Sequence, residues 1–163
     1  MTKRMRAWIF NVHISLIGAL FLASAAPIAS TQSLAPHKRT TVPFKLEAGE
    51  YPGPIVEVMI AGKRFSFLLD SGACITGVSP ELAKKLGLTP LSKVTGHGAG
   101  AKDFQAAYAK IVSLHVGDVV SKDVTVAIAE MPQGAGYDGI VGMSVLRHHC
   151  FTIDFRKQVL SFD

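Results

Sequence analysis

The tetrapeptide Asp70-Ser71-Gly72-Ala73, directly after the apolar run Phe65-Ser66-Phe67-Leu68-Leu69, constrains this chain more than any other feature. A strand that ends in a carboxylate must supply that group with donors. An isolated ionised carboxylate in an apolar setting either neutralises or finds strong hydrogen bonds. Ser71 carries a hydroxyl that can donate, and Gly72 permits a tight turn that brings backbone N–H groups to the carboxylate. One reading is a strand-end turn in which Asp70 and Ser71 satisfy local backbone groups. The other is a site that uses the carboxylate, and the rest of the chain decides between them.

The 163 residues fit one domain and a leader. Lys3, Arg4 and Arg6 form a basic start, Ile14 to Leu22 is an apolar run, and Ala23-Ser24-Ala25 supplies small residues of the kind a signal peptidase reads. Residues 1–25 are therefore expected to be a signal peptide cut after Ala25. The alternative is an uncleaved anchor over residues 7–26, interrupted by Asn11 and His13. Either way the folded part is exported, periplasmic or secreted, and meets a membrane only if the N-terminal segment is retained. Removing residues 1–25, with three basic and no acidic residues, lowers the net charge from +5 to +2. Without a dense basic patch, no nucleic-acid partner is expected. Residues 26–40, rich in Ala, Ser, Thr and Pro, read as a flexible linker, which leaves 41–163 as the domain.

Within it, residues 41–46 alternate as a strand, and Pro43 favours an edge position. Residues 55–60 and 64–69 read as a β-hairpin turning at Gly62, with Asp70 at the far end of its second strand. Ser79 caps a short helix with Pro80 in its first position, Glu81 in its first turn and Lys84-Lys85 in its last. Residues 95–101 form a glycine-rich loop without the strand–loop–helix context of a phosphate cradle. Strands over 106–116 and 124–129 follow. Gly139-Ile140-Val141-Gly142 leads into a short helix over 143–148, and strands over 151–155 and 159–162 close the chain. Short strands, regular turns and two brief helices predict an all-β fold: a small, closed, barrel-like and mainly antiparallel domain.

Other polar groups receive plainer readings. Cys74 and Cys150 are either a disulfide, permitted in an exported chain, or buried thiols. His148-His149-Cys150 lacks a second ligand cluster and reads as helix-end residues rather than a metal site, so no metal or cofactor is expected. Asp138 and Asp154 read as turn or strand-end residues.

From Phe67 through Ala73, the Ser79 helix, the Gly96–Gly100 glycines, Asp138 to Gly142 and Thr152 to Phe155, the chain resembles the retropepsin-like aspartic proteases. These are the single-domain type found in retroviruses and exported bacterial proteins, and the resemblance spans residues 41–163. It implies that Asp70 is catalytic, with Ser71, Gly72 and Ala73 supporting it. It also implies that Gly96, His97, Gly98 and Gly100 belong to a flap over substrate, and that Ile140, Val141 and Gly142 thread beside the catalytic loop and shape it. Cys74 and Met143 depart from the retroviral pattern, which has charged residues at comparable places, so a retroviral-like substrate groove is not implied. Peptide hydrolysis by this route needs one carboxylate to deprotonate water and a second, protonated, to act on the scissile amide. The chain has a single Asp-[Ser/Thr]-Gly, so the second carboxylate is expected from a second copy in a homodimer. The expected activity is that of an aspartic endopeptidase acting on a peptide or protein. The alternative is a non-catalytic module binding extended peptides by strand addition, against which the intact Asp70-Ser71-Gly72 argues.

Overall fold

The structure, a computed structural model, describes residues 39–47, 52–97 and 103–163. The signal or anchor read in residues 1–26, most of the linker, and Gly98 and Gly100 of the expected flap lie outside the described residues.

Ten strands and two helices follow in chain order: β1 (Thr40–Glu47), β2 (Gly53–Ile60), β3 (Lys63–Leu69), β4 (Thr76–Val78), α1 (Pro80–Lys85), β5 (Ser92–His97), β6 (Asp103–Val116), β7 (Val119–Ile128), β8 (Gly139–Val141), α2 (Met143–Leu146), β9 (Phe151–Asp154) and β10 (Val159–Phe162). The β2–β3 hairpin forms where its alternation places it, with Ile60 opposite Lys63. Ala61 and Gly62, at φ of 51° and 74°, give the left-handed two-residue turn that matches strand twist. Val56, Val58 and Ile60 on β2, with Phe67 and Leu69 on β3, point into the core. Each fully buried side chain of this kind stabilises by roughly 1.5–3 kcal/mol.

The strands form one sheet in the order β5-β6-β7-β4-β8-β3-β2-β1-β10-β9. A further antiparallel pairing, with Ile60 opposite Leu114, brings β2 against β6 and closes six strands into a ring. The mainly antiparallel all-β architecture with two short helices is thus present. Two pairings are nevertheless parallel, β3 with β8 and β4 with β7.

Pro43 has a strand partner on one side only, and several other local expectations are corrected. β1 pairs with β10 over Thr40–Pro43 and with β2 over Phe44–Glu47, so each half has one partner and a residue without an N–H fits at the changeover. The strand already includes Thr40, the last residue of the expected linker. Thr95, Gly96 and His97 are not loop but part of β5, paired with Gln105, Phe104 and Asp103. β7 begins at Val119 rather than 124, because pairing continues on both sides of Asp123 although that residue takes a φ of 52°. α2 ends at Leu146, two residues short of the expected helix. Around Ser79 the sequence signals hold, and its Oγ accepts from the Leu82 N–H at 3.1 Å.

Candidate active site

Asp70 follows the last residue of β3 and is partly buried. β8 runs parallel beside β3, with Leu68 opposite Ile140 and Leu69 opposite Val141. On its other side β8 pairs with β4, so the chain that leaves β3 through Asp70 returns across β8 as β4. This arrangement holds the loop at both ends. The Asp70 N–H donates to the Val141 carbonyl at 3.0 Å, the Ala73 N–H to the Asp70 carbonyl at 3.2 Å, and the Met143 N–H to the Ala73 carbonyl at 2.8 Å. Ile140, Val141 and Gly142 therefore stand directly alongside the Asp70 loop.

Gly142 has a steric reason to be glycine. A Cβ there would sit 2.8 Å from the Ala73 carbonyl oxygen and 2.6 Å from that of Ile75, both backbone atoms with little freedom to move. Beside it lies a network that the sequence does not announce. Thr76, fully buried, accepts on Oγ1 from the Gly142 N–H at 3.2 Å and from the Ser144 hydroxyl at 3.0 Å. The Ser144 Oγ in turn accepts from the Thr76 N–H at 2.9 Å.

The carboxylate of Asp70 finds its donor in the backbone, the Gly72 N–H to Oδ1 at 2.8 Å. The anticipated side-chain donor is not used. Ser71 is exposed, and its hydroxyl has no partner among the described residues.

Asp138 is committed elsewhere. Its Oδ2 accepts from the Ser66 N–H at 3.0 Å, its N–H donates to the Ser66 carbonyl, and its carbonyl accepts from the Ser79 N–H. It braces β3 against the start of α1. Asp154 accepts from the Lys157 N–H at 2.9 Å and shapes the β9–β10 turn. Asp70 and Asp138 thus each accept one backbone N–H on one carboxylate oxygen, Asp70 from its own turn and Asp138 from β3.

Gly96 and His97 lie in the β5–β6 hairpin, and neither is hydrogen-bonded to the Asp70 loop. The Phe104 ring occupies the space that a Cβ on Gly96 would need. His97 Nδ1 lies 2.6 Å from Asp103 Oδ1.

Cys74 and Cys150 are unbridged, and both are exposed, so neither the disulfide nor the buried-thiol reading holds. Cys74 sits on the surface just past the Asp70 loop, and Cys150 on the connection after α2. His149 packs edge-on against Phe162, and Arg147 Nε donates to His148 Nε2 at 3.4 Å. Among the described residues no group of three His, Cys, Asp or Glu side chains converges to hold a metal.

With this geometry in place, the comparisons agree with one another. The profile of the family described as aspartyl protease matches residues 56–145, more than half of the chain, and the chain belongs to that family. Among solved structures it is similar to a retropepsin-like aspartic protease from Rickettsia conorii. That match has 18% sequence identity and a TM-score of 0.53, and covers 76% of this chain and 89% of that one. At this identity the likeness shows the fold, which is retropepsin-like. No curated protein matches the chain.

Proposed function

We propose that this protein is an exported aspartic endopeptidase whose active site is completed by two copies of the chain, each giving one Asp70. The observation that carries this reading is the Asp70-Ser71-Gly72 turn, its carboxylate fed by the Gly72 N–H and its loop tied to β8 and α2, in a chain of the aspartyl protease family. Peptide hydrolysis by this route needs two carboxylates, and a second Asp70 related by a two-fold axis supplies the missing one. The exposed Ser71, with a free hydroxyl beside Asp70, is available to the second copy.

In the reaction one Asp70 carboxylate takes a proton from water as the water oxygen bonds to the scissile carbonyl carbon. The other, protonated, gives its proton to the carbonyl oxygen, and a gem-diol results. A proton then passes from the dyad to the amide nitrogen, the C–N bond breaks, and the opposite carboxylate takes a proton from one diol hydroxyl. The products are a carboxylic acid and an amine, and the dyad again holds one proton. Carboxylates about 3 Å apart cannot both ionise, so a single shared proton is its resting state.

Incubation of the folded domain with a mixed peptide library across acidic to neutral pH tests the reading. Wild type is expected to cleave, whereas Asp70→Asn, nearly equal in size, folds and does not. Peptide binding without cleavage by the wild type would favour the non-catalytic module. Export rests on the basic start, short apolar run and Ala23-Ser24-Ala25, and predicts Ala26 as the mature N-terminus. Intact mass of the exported protein checks this, and a mass retaining residues 1–25 points to an anchor.

A further inference from the structure

We infer that the hydroxyl pair Thr76–Ser144 positions Asp70 for catalysis, an inference that rests on the aspartic-protease reading above. Three ties hold the Asp70 loop to β8 and α2. Two are backbone to backbone, Asp70 to Val141 and Met143 to Ala73, and survive most substitutions. The third is made by side chains. Gly142 stands at the N-cap position of α2 and has no side chain with which to cap it. The carbonyls of Ala73 and Ile75 exclude anything larger there. Thr76 and Ser144 instead tie β4 to the start of α2 by side chains, Thr76 accepting from the Gly142 N–H and Ser144 from the Thr76 N–H.

The direction of each hydrogen bond closes the network. The Gly142 N–H and the Ser144 hydroxyl both donate to Thr76 Oγ1, while the Thr76 N–H donates to Ser144 Oγ. A slip of α2 along the loop breaks all three together. Thr76 has no exposed surface, and a buried N–H without a partner is strongly disfavoured. The pair therefore fixes the register between β8–α2 and the segment that starts at Asp70. That register matters because two carboxylates must meet at about 3 Å to share a proton, and a displacement of ~1 Å can lower a rate about a hundredfold.

Ser144 is the residue to change. It is only partly buried, and with Cys74 and Ile75 it lines a cavity of about 610 Å³, so its side chain can be trimmed or enlarged without overpacking the core. Ser144→Ala removes the hydroxyl and Ser144→Thr keeps it. In the full-length protein, Ser144→Ala is expected to lower kcat roughly tenfold with KM unchanged, because the loss falls on the transition state alone. Ser144→Thr restores kcat. Independently of activity, hydrogen exchange over residues 70–76 quickens in Ser144→Ala while the β2–β3 hairpin stays protected.

Unchanged exchange over 70–76 overturns the inference, as does faster exchange with unaltered kcat. A fall in kcat that only follows the fraction unfolded, or that Ser144→Thr fails to rescue, also overturns it. Should Asp70→Asn hydrolyse peptide as well as wild type, the aspartic-protease reading fails instead. The exchange measurement then still decides whether the pair holds the loop.

Discussion

The Asp70 loop and strand β5 of the β5–β6 hairpin are both short, glycine-bearing segments, yet they are held in opposite ways. The strands behind the loop are deep, with all of β4 buried and Gly139 and Val141 of β8 buried, and the loop itself is tied to the backbone of β8 and α2. No residue of β5 is buried, and that strand stands at one end of the sheet order. Burial and hydrogen bonding set local opening energies, so the loop should hold one geometry and the hairpin should open readily. A hydrolase that grips an extended chain needs both properties. The reacting groups need fixed positions, whereas the cover must move to admit substrate.

Substitutions at the two glycines should expose this contrast. Gly142→Ala has the larger expected effect, because the new methyl meets two backbone carbonyls. Overpacking of this kind destabilises by roughly 1–3 kcal/mol, which for a domain of this size lowers the melting temperature by on the order of 10 °C. A thermal melt unchanged from wild type would show that the loop is not gripped. Gly96→Ala should do far less. Its methyl meets only the tip of the Phe104 ring, a side chain 43% exposed and free to swing, so stability should stay within about 0.5 kcal/mol of wild type. Without any substitution, amides of β5 should exchange fast in the free protein and slowly with a peptide-like inhibitor bound. Equal protection in the two states would remove the hairpin as a lid.

What the sequence revealed follows the same divide between local and distant causes. The Gly62 hairpin, the Ser79 cap and the turn at Asp70 depend on neighbours within a few residues, and all three are legible. β4 is not. It is three residues long and buried throughout, too short to show a period. The Thr76–Ser144 pair joins residues 68 apart, and neither residue type announces the partnership. Thr95-Gly96-His97 reads as loop because glycine is depleted in strands, whereas the Phe104 ring across the hairpin covers Gly96 in a paired strand. The cysteines differ for a related reason. Cys is usually buried, but Cys74 follows a loop whose Ser71 and Gly72 are themselves exposed.

The central claim is that one active site needs two chains, and mixing wild-type with Asp70→Asn protein tests it most directly. With free subunit exchange and random pairing, an equal mixture at fixed total chain concentration leaves about a quarter of dimers with both carboxylates. Activity should then fall towards about a quarter of the all-wild-type value. A fall to only about half, with exchange confirmed, would mean that each chain acts alone and would contradict the account.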